Sequence, residues 1–239
     1  MKNKFTNRYI IIYAAILVAV VAVVLSVVSL SLASRKDANV RNEKMQAMLA
    51  AIGVSSDLDQ ASALYAEYFT DEMAVNADGE VVFDYSVKEG KGQGTRPFDL
   101  DVRAQQTLAK EGKDCRLPLF RYQKDGAEGY VVPLHGAGLW GPIWGYVALD
   151  EDFTTVVGVS FDHKGETPGL GAKITTPEFQ SQFVGKKIKN PDGEFVSVQV
   201  LKNAEKSSEN QVDAISGATI TSTGVGQMLR ECLEPYANE

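Results

Sequence analysis

The 239-residue chain is 44% hydrophobic and 23% charged, which is the composition of a folded protein and excludes a disordered one. Its formal net charge of −7 is unevenly distributed. Residues 1–36 hold five basic residues and no acid, whereas the remaining 19 basic residues are outnumbered by 31 acidic ones, a net charge of −12. Because an acidic domain repels nucleic-acid phosphates, we predict no nucleic-acid partner.

An uncharged stretch at residues 9–34 predicts a single transmembrane helix. The stretch, YIIIYAAILVAVVAVVLSVVSLSLAS, exceeds the about 20 apolar residues that a spanning helix needs. Tyr9 and Tyr13 lie near one end, where aromatic rings favour the membrane interface. The alternative is a cleaved signal peptide with Ser31 and Ala33 at its cleavage site, but signal peptides have apolar runs of only about 7–15 residues. We therefore predict a retained anchor.

Flanking charges and cysteines leave the topology open. Three basic residues precede the span and four follow it by position 44, so the positive-inside rule gives no orientation. Cys115 and Cys232 would be able to pair in an exported domain. Cys232, however, falls on the apolar face of the last predicted helix, and we expect a buried thiol there rather than a disulfide.

Two helices are predicted between the anchor and the first strand. Residues 40–54, VRNEKMQAMLAAIGV, read as a helix that ends at Gly53, a favoured residue just past a helix end, and we expect a helical stalk over about 36–53. Asp57 is predicted to cap the second helix. The apolar face of that helix comprises Leu58, Ala61, Tyr65, Tyr68 and Phe69.

From Gly79 onward the hydrophobic pattern changes to that of strands. The runs are short, rich in β-branched or aromatic residues and bounded by Gly, Asp or Pro. They are VVFDYSV (81–87), GYVVPL (129–134), IWGYVAL (143–149), TVVGVSF (155–161) and FVSVQVL (195–201). The segment DEDFT predicts a hairpin between the third and fourth runs. The predicted fold class is α+β, with one N-terminal transmembrane helix followed by a mostly antiparallel sheet and flanking helices.

The rest of the chain predicts two further helices and one unassigned region. The polar residues 88–114 carry no clear pattern. Thr176-Pro177 begins a short helix, PEFQSQFV, that ends at Gly185. The last helix ends at Pro235. Its apolar face comprises Val225, Met228, Leu229, Cys232 and Leu233.

The stretch DAISGATITSTGVG, residues 213–226, leads into this last helix. A helix N-terminus presents unpaired N–H groups and a partial positive charge, which favour an anion such as a phosphate. Gly217 and Ala218 remove side-chain bulk, so another molecule can approach the backbone and the hydroxyl of Thr219. The alternative on physical grounds alone is a helix start capped by Ser or Thr.

Two more glycine-rich stretches stand out. HKGETPGLGAK, residues 163–173, follows a strand, and its Pro168, Gly169 and Gly171 would allow backbone amides to turn toward a flat ligand. GAGLWGPIWGY, residues 136–146, places Trp140 among glycines, where burial in the core is the alternative. We find no phosphate-binding P-loop or dinucleotide fingerprint, and no Cys/His cluster that would predict a metal site.

Residues 213–219, DAISGAT, are similar to the flavinylation sequence D-x-x-(S/T)-G-A-T, in which a transferase moves FMN from FAD onto the final threonine. Together with SGATITSTGV, GETPGLG, GLWGPIWGYVAL, FVGKKI and the N-terminal anchor, they resemble the C subunits of sodium-translocating NADH:quinone reductases over nearly the whole chain. The resemblance implies an FMN-binding domain with the phosphoester on Thr219. The implied recognition residues of the transferase are Asp213, Ser216, Gly217 and Ala218. The implied flavin-ring contacts are Thr167, Gly169, Leu170 and Gly171, with Trp140 a further candidate.

The resemblance also implies a function and a location. The chain would pass electrons between other subunits through covalent FMN while the complex moves sodium, and would bind neither NADH nor quinone. It would be a single-pass protein of the bacterial inner membrane: residues 1–8 cytoplasmic, 9–34 spanning and 35–239 periplasmic. Its partners would be the other membrane subunits and, during maturation, the flavin transferase. The alternatives are the related G subunit of the Rnf complex, a free-standing anchored flavoprotein reductase, and a flavin-free periplasmic interaction domain.

Overall fold

The computed structural model describes residues 7–92 and 94–237, and contains five α-helices and eight strands in that part of the chain, besides short 3-10 turns. The helices are α1 (Asn7–Ala51), α2 (Ala61–Tyr68), α3 (Val102–Lys110), α4 (Pro177–Gln180) and α5 (Thr219–Leu233). The strands are β1 (Phe69–Val75), β2 (Val81–Ser86), β3 (Leu117–Lys124), β4 (Ala127–Ala137), β5 (Pro142–Asp150), β6 (Val156–His163), β7 (Gln199–Leu201) and β8 (Gln211–Asp213). The predicted α+β fold class is confirmed.

The chain divides into one unit up to Lys44 and a second from Met45 onward. Within the first unit, Asn7–Ala33 is a helix of mean hydropathy 3.1 whose described side chains are exposed. Its 27 residues are long enough to cross a bilayer. A helix that is apolar on all sides and not covered by protein is typical of a membrane span.

The second unit is built on a six-stranded antiparallel sheet in the order β2-β1-β3-β4-β5-β6. Successive side chains of a strand point to opposite faces, and here both faces are buried. On β5, Val147 and Leu149 join a core that includes α5, whereas Tyr146 and Ala148 join a second core that includes α2. We call these the α5-side core and the α2-side core.

The α2-side core is mainly aromatic. Its rings pack in stacked, edge-on and tilted pairs, with centroids 4.4–6.5 Å apart among Tyr65, Phe69, Phe98, Phe120 and Tyr122. The end of α1, from Met45 to Ala51, and the following Ile52 contribute buried aliphatic side chains to the same core. Gly53 follows this helix at φ +71°, the left-handed conformation that its predicted role as a helix stop requires.

Several predicted elements are confirmed, and three differ. The hairpin between β5 and β6 is present, and the whole apolar face predicted for α5 is buried. The predicted cap at Asp57 is wrong: α2 begins at Ala61, and Gln60 precedes it without a side-chain cap. Phe69 is the first residue of β1 rather than part of the helix, because it pairs with Tyr122 on β3. Of the predicted strand 195–201, only Gln199–Leu201 is regular.

Both cysteines are buried free thiols in the α5-side core, as expected for Cys232. Burial raises the pKa of the Cys232 thiol to about 11. Because the thiolate is the reactive form, a raised pKa leaves this sulfur inert at neutral pH.

Candidate functional site

The loop after β6, the tip of the β4–β5 hairpin and the start of α5 meet at a recess of about 250 Å³. We call it the Thr219 recess. It is lined by Leu139, Glu166, Thr167, Leu170, Gly171, Gly217, Ala218, Thr219, Ile220 and Thr221. The three small-residue loops that stand out in the sequence therefore come together in the fold, although they lie far apart along the chain.

The start of α5 is not capped by a side chain. The N-cap residue is Ala218, which has no polar side chain to accept a bond from the first turn. Gly217, just before it, adopts φ +78°, and a Cβ at that position would lie only 3.0 Å from Cδ2 of Leu170. The interpretation that SGAT serves to cap a helix does not fit this geometry, because alanine is among the poorest N-cap residues.

The hydroxyls near the start of α5 differ in their exposure. Thr219 is the first residue of α5 and is exposed. Thr221 and Ser222 are each only 1% exposed. The Thr221 hydroxyl donates to Oε2 of Glu166 at 2.6 Å, and Oγ of Ser222 accepts from the N–H of Ile215 at 3.0 Å. Of the three, Thr219 is the one that an external enzyme can reach.

The loop E-T-P-G-L-G turns back on itself. The N–H groups of Leu170 and Ala172 both donate to the carbonyl of Thr167, at 3.1 and 3.2 Å. The expectation that the amides of this loop face a ligand is thus wrong for these two. Gly169 does adopt the positive φ that its sequence suggests, +77°. The tight turn places Leu170 in the lining of the Thr219 recess. The Leu170 side chain is 42% exposed there.

Glu166 is a buried carboxylate at the back of the Thr219 recess, with 5% exposure. Its Oε1 accepts from the N–H of Trp140 at 2.8 Å, and its Oε2 accepts from the Thr221 hydroxyl. Its own N–H donates to Nδ1 of His163 at 3.1 Å. One side chain therefore joins the β4–β5 hairpin to the first turn of α5.

Six of the residues predicted for the site line the Thr219 recess together. They are Thr167, Leu170, Gly171, Gly217, Ala218 and Thr219. The other four, Trp140, Gly169, Asp213 and Ser216, lie outside its lining.

The four outlying residues remain close in sequence to the lining. The Trp140 side chain is 66% exposed, and its neighbour Leu139 lines the recess instead. Asp213 is exposed at the end of β8, where its Oδ1 accepts from the N–H of Ala204 at 3.0 Å. Ser216 is exposed on the turn before α5. The exposed positions of Asp213 and Ser216 suit recognition by another protein better than contact with a small ligand inside the recess.

Sequence reasoning missed four lining residues: Leu139, Glu166, Ile220 and Thr221. One signal for Glu166 is present in the sequence, since it is a lone acid within the glycine-rich E-T-P-G-L-G stretch. Nothing in the sequence indicated that this acid is buried, because its burial depends on two other loops. Leu139 and Ile220 are exposed apolar residues beside motif residues and carry no pattern of their own.

The lining fits the chemistry of a flavin nucleotide. Leu139 and Leu170 supply exposed apolar surface for a planar ring. The first-turn N–H groups of a helix have no partner within the helix and favour a phosphate, and those of α5 begin at Thr219. Gly217 carries no side chain to crowd Leu170, since a Cβ there would lie only 3.0 Å from Cδ2 of Leu170.

The comparisons with known proteins agree with this geometry. The FMN-binding domain family matches residues 138–234, which include the whole lining of the Thr219 recess. The C subunit of the Na⁺-translocating NADH-quinone reductase from Neisseria meningitidis serogroup B is 32% identical over 231 residues, covering 94% of this chain and 88% of that protein. Its counterpart from Vibrio alginolyticus is 27% identical over 210 residues, which cover 86% of this chain and 82% of that protein.

A solved structure shows the same relationship. The crystal structure of the corresponding C subunit from Parabacteroides distasonis is 40% identical, with a TM-score of 0.74, covering 87% of this chain and 96% of that one. The resemblance drawn from the sequence motifs is confirmed. The chain belongs to the family of C subunits of the Na⁺-translocating NADH-quinone reductase, a redox complex.

Proposed function

We propose that this chain is the FMN-carrying subunit of a Na⁺-translocating NADH-quinone reductase, and that FMN is bound covalently to Thr219. Family membership and the FMN-binding domain match support FMN as the cofactor. The observation that carries the attachment point is the contrast in exposure: Thr219 is accessible at the start of α5, whereas Thr221 and Ser222 are buried. The uncapped helix start supports a phosphate at this position.

Attachment requires the Thr219 hydroxyl to act as a nucleophile. Its oxygen forms a bond to the phosphorus of the FMN half of FAD, the bond to AMP breaks, and the threonine proton is released. We propose that a separate flavin transferase carries out this step. Asp213 and Ser216, both exposed near Thr219, would serve with Gly217 and Ala218 as its recognition sequence.

Bound FMN supplies the capacity to accept and release electrons, and the chain supplies position and surroundings. Thr219 fixes the phosphate, and the N–H groups of the first turn of α5 stabilise its negative charge. Leu139 and Leu170 would exclude water from the faces of the ring. Thr167 and Gly171 line the same recess, and Gly169 and Trp140 are further candidates next to the ring.

We propose that residues 9–34 anchor the chain in the bacterial inner membrane as a single span. The apolar part of α1, Asn7–Ala33, supports this function. Residues 35–239 would be periplasmic, with a stalk over about 36–53, beside the other membrane subunits of the complex. The proposed cytoplasmic segment, residues 1–8, lies outside the described residues except for positions 7 and 8.

In-gel fluorescence tests the attachment point. The full-length chain, coexpressed with the flavin transferase, should give a fluorescent band after denaturing electrophoresis, and Thr219→Ala should not. Thr223→Ala is the matched control, because Thr223 is an exposed hydroxyl on the same helix. A fluorescent Thr219→Ala together with a dark Thr221→Ala would overturn the assignment, and a colourless wild-type chain would refute covalent flavin.

Protease accessibility tests the anchor and its orientation. Protease added to spheroplasts should digest the domain and leave a small membrane-embedded fragment. Protection of the domain from the protease would show that the domain lies on the cytoplasmic side, opposite to the proposed orientation. A mature N-terminus near residue 34 would show that the apolar segment is cleaved as a signal peptide.

A further inference from the structure

Three loops of the Thr219 recess meet on one buried carboxylate. Glu166 belongs to the loop after β6, accepts from Trp140 at the tip of the β4–β5 hairpin, and accepts from Thr221 in the first turn of α5. Thr221 lies two residues after Thr219, within the same helical turn. A displacement of the Glu166 carboxylate would therefore be transmitted to the residue that is to carry FMN.

Two glycines leave the space that this carboxylate occupies. A Cβ at Gly171 would overlap Oε2 of Glu166 and would lie 2.8 Å from Oγ1 of Thr221. A Cβ at Gly138 would lie 2.5 Å from Oε1 of Glu166. Neither glycine is at positive φ, so both are explained by the close approach of the carboxylate rather than by backbone conformation.

We propose that Glu166 is the positioning residue of the Thr219 recess: through Thr221 it fixes the first turn of α5, and through Trp140 it fixes the hairpin that bears Leu139. This inference rests on the proposed function of Thr219. A recess that is already ordered before the flavin arrives presents the Thr219 hydroxyl in one orientation, which is what a group-transfer enzyme requires of its acceptor.

The burial of Glu166 supports a positioning role. Both partners of the carboxylate described above, the Trp140 N–H and the Thr221 hydroxyl, are neutral donors. Burying a carboxylate is costly, and the cost is offset only when its oxygens accept good hydrogen bonds. Removal of either donor would leave an unsatisfied buried oxygen and free the loop on which that donor lies.

The rate of FMN attachment provides the first test. Full-length chain is purified from cells without the flavin transferase, and purified transferase and FAD are then added. Glu166→Ala and Thr221→Val should lower the initial rate of fluorescent labelling about tenfold or more, because small misplacements of a reacting group cost this much. Thr223→Val, at an exposed position on the same helix, is the matched control and should label at the wild-type rate.

Conservative variants separate positioning from general destabilisation. In Glu166→Gln, the amide oxygen still accepts from Trp140 and the amide nitrogen donates to Thr221, so labelling should return to within about threefold of wild type. Thr221→Ser keeps the hydroxyl and should do the same. Equal losses in Glu166→Gln and Glu166→Ala would show that the charge, not the connection, matters, and would overturn the proposal.

Hydrogen exchange of the flavin-free chain provides a second test that does not depend on attachment. Glu166→Ala should speed exchange at Trp140, Leu170 and Ala172, while amides of β4 and β5 stay protected. Wild-type exchange and wild-type labelling in Glu166→Ala would each overturn the proposal. If the wild-type chain is never labelled, the proposed function fails, whereas the exchange result still decides whether Glu166 orders the recess.

Discussion

Two buried glutamates, one on each side of the central sheet, are stabilised in different ways. Glu72, on β1, is fully buried in the α2-side region. Its carboxylate accepts hydrogen bonds from Nε of Arg96 at 2.8 Å and from the Tyr65 hydroxyl at 2.9 Å. Glu166 lies at the back of the Thr219 recess, where it accepts hydrogen bonds from a backbone N–H and a threonine hydroxyl. One carboxylate is neutralised by a cation, and the other has only neutral partners.

The difference separates a carboxylate that supports the fold from one that supports a site. Arg96 also lies over the rings of Tyr85 and Phe98, at 4.8 and 5.3 Å from their centroids, so the Glu72 pair is embedded in packed aromatic surface. Glu166 instead joins three loops of the Thr219 recess. We expect changes at Glu72 to affect mainly the free energy of unfolding, and changes around Glu166 to affect mainly the flavin.

Glu72→Ala should give the largest loss of stability. Removing one partner of a buried ion pair leaves Arg96 without its countercharge and costs about 3–5 kcal/mol. Urea unfolding followed by circular dichroism measures this, and the folded fraction should still accept FMN. The control is Lys113→Ala, which breaks an exposed pair with Glu111 and should cost no more than about 1 kcal/mol. Equal costs in the two variants would contradict the comparison.

Tyr65→Phe should lower the free energy of unfolding by less than Glu72→Ala does. The expected loss is about 1.5–3 kcal/mol, the usual contribution of a hydrogen bond to a charged group. Burial, followed by the charge of Glu72, raises the pKa of Tyr65, while Arg96 opposes this shift and Tyr146 adds to it. A raised pKa gives stability that is complete below about pH 10, the ordinary value for tyrosine, and that is lost as pH rises through the folded-state value. Above about pH 10, the Tm measured by thermal unfolding should thus fall less steeply with pH in Tyr65→Phe than in wild type. Parallel pH profiles would refute this role of Tyr65.

Leu170→Ala should lower stability by only about 1 kcal/mol or less, because the side chain is partly exposed. Its effect should fall on the flavin instead. Loss of an apolar contact admits water to the ring, so the absorption spectrum and the midpoint potential should both shift while covalent labelling persists. A fully labelled variant with unchanged spectrum and potential would place the ring elsewhere, and Trp140→Ala would then be the next variant to measure.

Asp213→Ala should have the smallest effect on stability, about 0.5 kcal/mol, since the residue is exposed and loses one hydrogen bond to Ala204. Labelling by the transferase should nevertheless fall. Asp213→Asn keeps the acceptor for Ala204 but not the charge, and labelling should fall here as well. Normal labelling of Asp213→Asn would assign Asp213 a role in the turn rather than in recognition.

The parts of the fold that were predictable from sequence are those in which local pattern and tertiary packing agree. The apolar runs of β4 to β6 and the buried face of α5 are examples. β1 was missed because Phe69–Val75 contains Asp71 and Glu72, and the burial of Glu72 depends on Arg96, which is distant in sequence. α3 was missed although Asp101 offered a signal, since its side chain caps the helix by accepting from Ala104.

A repeated local pattern was also available in the sequence. Residues 76–80 and 190–194 both read Asn-x-Asp-Gly-Glu. In each, the asparagine side chain accepts from two backbone N–H groups of the turn and donates to the glutamate at the fifth position.

The motif residues of the Thr219 recess could be assigned by resemblance, but Glu166 could not, because its role depends on three loops that meet only in the folded domain.

The small size of the Thr219 recess bears on how long a cofactor stays with the protein. Sites that enclose a small ligand span about 300–1,000 Å³, and this one measures about 250 Å³. Contacts over so little surface would give fast dissociation. The proposed phosphoester at Thr219 would replace dissociation by hydrolysis as the route of loss, so that residence time would no longer depend on affinity. Under the proposed attachment, the ring would then be able to stay open on one side to an electron-transfer partner without being lost from the protein.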